Sequence, residues 1–405
     1  MHILELPSFF TPYGGEFCLE QAKALAAQGH EVRIMACVQL SVRRSLRQFI
    51  TLPWLISEEQ AEGVTVVKHY MRGWPRSPRM NQRRWVATVQ RMYEGYVRRY
   101  GRPDIIHAHC AKWAGYAAML ISERHDVPFV VTEHLSLHVL EQEWGTSTTT
   151  WQVPLLRQTY EKADMVVPVA RELVAQTAHL FGTDYRWQEV SNIVDTAFFA
   201  YRQRTVMSGD DKAYRFCCIA HNTPLKGYDI LFAAFDKLRQ SHPTIELHVA
   251  GRDTQMLPQQ PGVVVHGELD AEGIRGLLYD CHCLVLASRS EVQPLVVLEA
   301  VSTGLPVVGT ECIPQNERID GAVTIVPVDD VEALGQAMFQ QMEKDIAGVS
   351  DVEITDAKIT RTEITGTETP CSRYQQASGT VAALAAPSVV AEQLERLFIS
   401  LQRKQ

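Results

Sequence analysis

Two glutamates stand eight positions apart in the stretch 288-SRSEVQPLVVLEAVSTGLPVV-308. Glu299 lies inside an apolar run, although a buried carboxylate is costly unless it is paired or hydrogen-bonded. Pro294 and Gly304 are typical of the start and the end of a helix, so the run predicts a helix with Glu299 in its second turn. The free amides of a helix start bind anions. Two carboxylates beside an anion site suit a ligand with both phosphates and hydroxyls, such as a nucleotide sugar.

The same spacing is also compatible with a purely structural role for both residues. Glu299 would then pair with a nearby arginine inside the fold, and Glu291 would be a solvated loop residue. The spacing alone does not choose between this interpretation and a ligand site.

Buried-strand patterns alternate with helical patterns in two series along the chain. Such strands are predicted at 2–6, 31–37, 104–109, 128–132 and 164–169, and again at 215–220, 244–251, 262–267, 282–288, 305–310 and 322–328. Alternation of this kind indicates parallel sheets covered by helices on both faces. We expect an α/β protein with two doubly wound, Rossmann-like domains facing a cleft, where ligands bind outside the carboxyl ends of the strands.

The chain length of 405 residues also favours two domains. The restart of the pattern predicts domains at 1–196 and 197–386, followed by a helix in 387–405. Within the second domain, residues 345–386 include a Thr-rich segment whose alternation suggests short strands or an insertion, and we assign no function to it.

Composition excludes several classes of protein. The formal net charge of −8 argues against general binding of nucleic acid. Nine cysteines, mostly inside apolar runs, indicate reduced core residues of a cytoplasmic protein. The opening MHILELPSFF lacks the basic region of a signal peptide, and no apolar run is long enough for a membrane helix.

The acidic stretch resembles the signature of glycosyltransferase family 4, the retaining GT-B enzymes also described as glycosyl transferases group 1. Glu291, Glu299 and 304-GLPVV-308 match that signature. The resemblance implies that Glu291 contacts the hydroxyls of the donor sugar and that Glu299 contacts the ribose. Val292, Gln293 and Pro294 replace the usual Gly-Phe-Gly. Pro294 lacks an N–H, so the phosphate contacts expected at 294–296 fall to the amides of Leu295 and Val296.

Further motifs of the family follow in matching order in the first domain. Gly14 and Gly15 resemble the N-terminal glycine loop, where the backbone approaches the diphosphate or the acceptor closely. The strand end 104-DIIHAH-109 resembles the Asp-x-x-His-x-His motif. With Cys110, its His107 and His109 also allow a zinc site, which we disfavour because no second ligand pair is nearby.

His134, in 130-VVTEHLS-136, resembles the strand-end histidine that meets the donor sugar in the family. A structural histidine is the alternative at this position. The stretch 189-EVSNIVDTAFF-199 resembles the family's signature at the crossing between domains, with Ser191 in place of Pro and Ile193 in place of Gly.

The second domain opens with 216-FCCIAHNTPLKGYDILFAAF-235, which resembles the family's Gly-Arg-Leu…Lys-Gly motif. That motif implies that Lys226 neutralises the departing diphosphate. His221 occupies the position of the Arg, and Asn222 follows it. Histidine can donate to a phosphate, but the bidentate grip of arginine is lost and its charge depends on the environment.

Residues 72–102 hold nine arginines and one acid, Glu94, with Trp74 and Trp85 among them. A solvated helical face is one interpretation of this region. The other is a surface for an anionic membrane or for a lipid-phosphate-linked glycan acceptor, at the inner face of the membrane.

These features together predict a retaining, metal-independent glycosyltransferase that moves a sugar from a nucleotide-diphosphate sugar to a glycan, lipid-linked or small-molecule acceptor. The chain holds no Asp-x-Asp, and we expect no cofactor beyond the sugar nucleotide. The alternatives are a nucleotide-sugar epimerase or a phosphorylase of the same fold, and a catalytically weakened member that acts as a binding protein. The base, the sugar and the acceptor are left open.

Overall fold

The computed structural model describes residues 1–135, 150–203, 213–347, 352–355, 358–361 and 370–402. The chain divides into two units, Met1–Ile193 with Pro387–Gln405, and Val194–Ala386. Each unit is built on a twisted sheet with helices on both faces. The predicted class, α/β with two doubly wound domains, is therefore confirmed.

The first unit contains a seven-stranded sheet. Its strands are β1 (His2–Pro7), β2 (Glu31–Leu40), β3 (Ser57–Ala61), β4 (Val64–Arg72), β5 (Ile105–His109), β6 (Phe129–Glu133) and β7 (Met165–Pro168), in the order β3-β4-β2-β1-β5-β6-β7. All neighbours are parallel except β3 and β4, which form a hairpin outside the predicted series. The polar sequence SEEQA of β3 suits an edge strand, because charged side chains there oppose pairing with another chain.

The helices of this unit connect the parallel strands. They are α1 (Glu16–Ala27), α2 (Leu46–Thr51), α3 (Pro78–Tyr100), α4 (Tyr116–His125), α5 (Val153–Lys162) and α6 (Glu172–Phe181). Gly15 caps α1 with a left-handed φ of 97°. A Cβ atom there would lie 2.5 Å from the carbonyl oxygen of Phe9, so only glycine allows this close approach.

The second unit contains a six-stranded parallel sheet. Its strands are β8 (Arg215–Ile219), β9 (Glu246–Ala250), β10 (Val263–Gly267), β11 (Cys283–Leu286), β12 (Val307–Thr310) and β13 (Val323–Val326), in the order β10-β9-β8-β11-β12-β13. The central strands β8 and β11 are largely buried and apolar, as the continuous hydrophobic runs predict. Cys217, Cys218 and Cys283 are buried in this core and form no disulfide.

The helices of the second unit are α7 (Tyr228–Ser241), α8 (Ala271–Asp280), α9 (Leu295–Ser302), α10 (Val331–Ala347) and α11 (Pro370–Ala385). In the Thr-rich segment, β14 (Val352–Thr355) and β15 (Lys358–Arg361) form a short antiparallel pair. The rest of that segment, 356–357 and 362–369, lies outside the described residues.

The last helix, α12 (Pro387–Leu401), belongs to the first unit. Its apolar side is buried in the core that also contains α1 and β2. His30 lies 3.3 Å from Glu395 of this helix, and the ring of Phe398 packs edge-on against His107. The helix therefore covers one face of the first sheet.

Candidate active site

In the second unit, the loops after β8, β11 and β12 carry polar residues of the candidate site. These strands are parallel neighbours, so their carboxyl ends lie side by side at one edge of the sheet. His221 and Lys226 follow β8, Glu291 follows β11, and Glu317 follows β12. Residues that are up to 96 positions apart in sequence thus meet at the edge where ligands of doubly wound sheets bind.

Lys226 and Glu291 form an ion pair with 2.6 Å between Nζ and Oε1. The side chain of Lys226 is 25% exposed and that of Glu291 is 8% exposed. Lys226 ends a short 3-10 turn, and Gly227 follows with a φ of 63°. A Cβ atom on Gly227 would lie 1.9 Å from the carbonyl oxygen of Ala287, so the turn packs directly on the loop after β11. This packing fixes the distance between the two charged residues.

The predicted helix around Glu299 is present as α9. Pro294 is its N-cap, one position before the first helical residue. The N–H of Val297 already donates to the carbonyl of Pro294 at 2.8 Å. The amides of Leu295 and Val296 are the remaining donors of the first turn, because they precede any intrahelical partner. They provide the anion-binding helix start that the sequence predicts.

Glu299 is half-buried, and the described residues give its carboxylate no hydrogen bond. Burial raises the pKa of Glu299 to about 7. The alternative interpretation, in which Glu299 pairs with a nearby arginine inside the fold, is therefore wrong among the described residues. A carboxylate in this environment gains from a ligand that donates hydrogen bonds to it.

Glu317 is a third carboxylate of this site that the sequence analysis did not single out. It is fully buried, and neither of its carboxylate oxygens has a hydrogen-bond partner. Burial first, and then the negative charges of Glu291 and Glu299, raise its pKa well above the usual range. The protonated form of Glu317 is therefore favoured relative to that of an ordinary glutamate. Its sequence context, 314-PQNERID-320, reads as a solvated turn and gives no signal of this burial.

His221 is exposed, and its Nδ1 accepts the backbone N–H of Arg252 at 3.2 Å. The ring nevertheless loses part of its hydration. This loss, and then the charge of Arg252, lower the pKa of His221 below the usual value. The neutral ring therefore carries its proton on Nε2, a tautomer assigned from the hydrogen bond. Asn222 donates its amide to the carbonyl of Asp253 at 3.1 Å, which ties the loops after β8 and β9 together. Arg252 is a further cation at this edge, outside the predicted motifs.

In the first unit, His134 begins a chain of hydrogen bonds that leads into the core. Its Nε2 lies 3.3 Å from Nδ1 of His109, whose Nε2 lies 2.7 Å from Glu5. His107 contacts the same carboxylate at 3.0 Å, and its other ring nitrogen lies 2.6 Å from the hydroxyl of Thr132. Glu5, His107 and His109 are fully buried. Neither Glu5 nor this chain was predicted from the sequence.

The charges of this chain follow from its contacts. Burial would raise the pKa of Glu5, but the electrostatic interaction with His107 and the hydrogen bonds of both histidines outweigh it and lower the pKa to about 2. Burial, followed by the charges of His109 and His107, lowers the pKa of His134 well below its usual value. His134 is therefore neutral. Its Nε2–H donates to His109, which leaves Nδ1 as an acceptor.

Glu5, His107 and His109 are also close enough to share a metal ion, with ligand atoms within 4.8 Å of one another. All four ring nitrogens of the two histidines, however, already have partners in Glu5, Thr132 and His134. The hydrogen bonds of this cluster therefore account for its arrangement.

The glycine loop lies close to His134. Gly14 and Gly15 both have left-handed φ angles, 92° and 97°, and lead into α1. The ring of Phe17, on the first turn of α1, packs against His134 with 4.0 Å between centroids and an angle of 33° between the ring planes. Glu133 fixes the backbone that carries His134, because its carboxylate accepts hydrogen bonds from the backbone amides of His134 and Leu135 at 3.1 and 3.0 Å.

In the arginine-rich region 72–102, eight of the nine arginines are exposed, and two of the predicted surface residues, Arg72 and Trp85, are buried. Arg72 is buried and donates to the carbonyl oxygens of Phe49, Leu52, Pro53 and Tyr70. Trp85 is buried and donates to the carbonyl of Cys37 at 2.7 Å. Trp74, by contrast, is 59% exposed. Among the described residues, no helix is both long enough and apolar enough to span a bilayer.

Comparison with known proteins gives two family matches. Residues 14–198 match the family described as "Glycosyltransferase Family 4", and residues 213–344 match "Glycosyl transferases group 1". The chain is 26% identical over 219 residues to a glycogen synthase of Mycobacterium tuberculosis, with 51% of this chain and 52% of the relative covered. It thus spans about half the length of that relative.

A second relative is matched over most of its length. The chain is 26% identical over 366 residues to a phosphatidyl-myo-inositol mannosyltransferase of Mycolicibacterium smegmatis, with 84% of this chain and 83% of the relative covered. Among solved structures, Anabaena HepE in complex with UDP is similar, with a TM-score of 0.66, 16% identity, and 99% of this chain and 100% of that chain covered. The two family matches and the two doubly wound sheets agree with the motifs, and the chain belongs to glycosyltransferase family 4, glycosyl transferases group 1, with the GT-B fold.

Proposed function

We propose that the protein transfers a sugar from a nucleotide-diphosphate sugar to an acceptor, with retention of the anomeric configuration and without a metal ion. The observation that carries this proposal is the Lys226–Glu291 pair beside the start of α9. One edge of the sheet thus offers a cation, free amides and carboxylates to a ligand that has phosphates and hydroxyls.

In the proposed reaction the bond between the sugar and the diphosphate breaks, and negative charge develops on the departing diphosphate. The Lys226 ammonium and the amides of Leu295 and Val296 stabilise that charge. An ammonium has three donors, so Lys226 can keep Glu291 and still reach a phosphate oxygen. His221 donates through Nε2–H, and Arg252 is a further candidate cation.

The carboxylates and His134 have separate roles in this proposal. Glu291 accepts hydrogen bonds from the donor sugar, and Glu299 accepts them from the ribose diol. The raised pKa of Glu317 disfavours a third negative charge beside the two acids and the diphosphate. His134 is proposed as a contact of the donor sugar, with Nδ1 accepting a hydrogen bond from a hydroxyl.

A test of this function is a panel of UDP-, GDP- and ADP-sugars with the purified chain. We expect one nucleotide series to raise the melting temperature. One donor of that series should be hydrolysed slowly, and NMR of the released sugar distinguishes retention from inversion of the anomeric configuration. Binding without any turnover would support the weakened, binding-protein alternative. Exchange of the C2 proton of the sugar would support the epimerase.

We also propose a peripheral contact with an anionic membrane at its inner face. Within 42–56, five large apolar side chains are more than half exposed, among them Ile50 at 64%, Trp54 at 66% and Leu55 at 80%. Arg43, Arg44 and Arg47 are exposed in the same segment. Exposed apolar and cationic side chains together match the interface of an anionic bilayer. This surface is proposed in addition to the exposed arginines of 72–102, where Arg72 is the only buried arginine.

Sedimentation with vesicles tests the membrane contact. We expect binding to vesicles of phosphatidylglycerol and phosphatidylcholine, weaker binding to phosphatidylcholine alone, and loss of binding in the double variant Trp54→Ser, Leu55→Ser. Met256→Ser is a matched control, since Met256 is 75% exposed in the other unit. Equal sedimentation of the double variant, or a shift of wild type to a dimer without lipid, would contradict the proposal.

A further inference from the structure

One arginine of the second unit lies at the candidate active site but has no part in the proposed chemistry. Arg289 follows β11 and precedes Glu291 by two positions. Its backbone N–H donates to the carbonyl of Leu225 at 2.7 Å. Its side-chain Nη1 donates to the carbonyl of Pro224 at 2.6 Å. Arg289 is therefore bonded to two consecutive residues of the turn that ends at Lys226.

Two aspartates hold the rest of the guanidinium of Arg289. Asp229, in the first turn of α7, accepts hydrogen bonds from Nη1 and Nη2 on its two carboxylate oxygens, at 3.0 and 2.7 Å. Asp329, after β13, accepts a hydrogen bond from Nε at 2.6 Å. The hydrogen bonds from Arg289 lower the pKa of Asp229 below its usual value. The charge of Arg289 is thus balanced by carboxylates of the protein itself.

A guanidinium suits this arrangement because its donors lie in one plane at fixed angles. It can bind a carboxylate through two parallel hydrogen bonds while another donor reaches a backbone carbonyl. A single ion pair at the surface contributes little, and the side chain of Arg289 is 26% exposed. A bidentate pair within a network, however, keeps its geometry. Arg289 therefore fixes the turn 224–226 against its own loop.

This contact determines where the ammonium of Lys226 lies. On one side of Lys226, Gly227 packs directly on the carbonyl of Ala287. On the other side, Arg289 bonds the two residues that precede Lys226. The ion pair of Lys226 with Glu291 is thus formed between two segments that are already held together.

We propose that Arg289 is a positioning residue of the transfer reaction, which holds Lys226 where the departing diphosphate requires its charge. Arg289 itself does not touch the donor. A preorganised charge stabilises the departing group well, because it needs no rearrangement as the bond breaks. This proposal rests on the proposed transferase function, because Arg289 acts through a residue of that mechanism.

A double-mutant cycle in nucleotide affinity tests the proposal. Wild type is first titrated with UDP, GDP and ADP by calorimetry, and the tightest ligand is then titrated into the variants. We expect Arg289→Met to weaken binding about tenfold, because a small displacement of Lys226 loses most of its contact with the diphosphate. In the Lys226→Met background, the same substitution should change the affinity less than about twofold, because the group through which Arg289 acts is already absent.

Arg215→Met is the matched control. Arg215 also pairs with a carboxylate, that of Glu246, and donates to a backbone carbonyl, that of Asp280. It lies at the start of β8, and therefore at the opposite edge of the sheet, so its loss should leave nucleotide affinity unchanged.

Arg289→Lys keeps the charge without the planar donors, and its affinity should fall between wild type and Arg289→Met. Urea melts of all variants establish that they are folded. If Arg289→Met does not fold, Arg289→Lys takes its place in both backgrounds of the cycle, with the same expected loss of effect when Lys226 is absent.

The outcomes separate this proposal from the transferase function. If wild type and Arg289→Met bind the nucleotide equally, or if the substitution weakens binding by the same factor in both backgrounds, the positioning role is overturned while the proposed function stands. If wild type binds none of the three nucleoside diphosphates, the transferase function is overturned, and the role of Arg289 with it.

Discussion

Nζ of Lys226 lies 2.6 Å from Oε1 of Glu291, although 64 residues separate the two in sequence. The sequence motifs assign these residues different roles, one toward the leaving diphosphate and one toward the donor sugar. In the structure each fixes the position of the other. The pair therefore holds in place, before any ligand binds, the two side chains that are proposed to contact the phosphate and the sugar.

Lys226→Met should lower turnover about 10²-fold or more, because one preorganised charge opposite the departing diphosphate is lost. Lys226→Arg should retain part of the activity. Single-turnover rates and thermal melts of the two variants check this expectation. The control is Lys237→Met, because Lys237 forms an exposed ion pair with Glu332 in the same unit. If Lys226→Met kept wild-type turnover, Lys226 would have only a structural role.

Glu299→Ala should weaken binding of the nucleoside diphosphate more than Glu299→Gln, since the amide still accepts a hydrogen bond from the ribose. The loss in the Ala variant should be about 1.5–3 kcal/mol. Because the pKa of Glu299 is raised to about 7, the wild-type carboxylate becomes ionised as pH rises from 6 to 8. The affinity of wild type for the nucleoside diphosphate should therefore rise over that range. This pH dependence should be absent from Glu299→Gln. Calorimetry that gives both variants the same affinity would remove Glu299 from the site.

His221→Ala should weaken binding of a nucleotide sugar by a similar factor at every pH between about 6.5 and 8. The reason is that burial and Arg252 lower the pKa of His221, so the ring is neutral over this range and donates through Nε2–H. Isothermal titration with an intact nucleotide sugar avoids the second ionisation of a terminal phosphate. A pH-dependent difference from wild type that His221→Arg abolishes would instead indicate a protonated histidine.

Turnover should survive EDTA, since the proposed diphosphate contacts are Lys226 and backbone amides rather than a divalent ion. The measurement is the rate of donor hydrolysis before and after chelation, with a re-addition of magnesium or manganese. Complete loss that either ion restores would contradict the proposed mechanism and favour a metal-dependent one.

Glu5→Gln should destabilise the first unit, because the buried carboxylate is a common hydrogen-bond acceptor for His107 and His109. The folded pKa of Glu5, about 2, is below its usual value, so its stabilising contribution is present above about pH 4.5 and is lost as pH falls toward 2. Urea melts should show a gap of about 3 kcal/mol between wild type and variant at neutral pH that narrows in acid.

Glu20→Gln is a suitable control for this measurement, because Glu20 forms a partly exposed pair with Lys23 on α1. It should change the free energy of unfolding by no more than about 0.5 kcal/mol. A Glu5→Gln variant that is as stable as Glu20→Gln at neutral pH would show that the two histidines are held by packing alone.

The sequence determined the two sheets and the main motif positions. Continuous apolar runs separated by helical periods can be buried only between layers of helices, so β8, β11 and β12 and the helices after them were predictable from local pattern. Pro294 marks the start of α9 for the same reason, since it suits only the beginning of a helix. The roles of Lys226, Glu291 and Glu299 came from the resemblance to the family and stay proposals.

Only the tertiary structure decided which polar groups meet and which are buried. Glu5, Glu133 and Glu317 look like ordinary charged residues in the sequence, because burial depends on strand order and on packing between distant segments. Trp85 and Arg72 show the reverse case, since both were predicted at a surface and lie inside the first unit. Periodicity specifies which face of a helix or strand is apolar, but the raised pKa of Glu317 and the ion pair of Lys226 and Glu291 depend on neighbours that the chain brings together only when it folds.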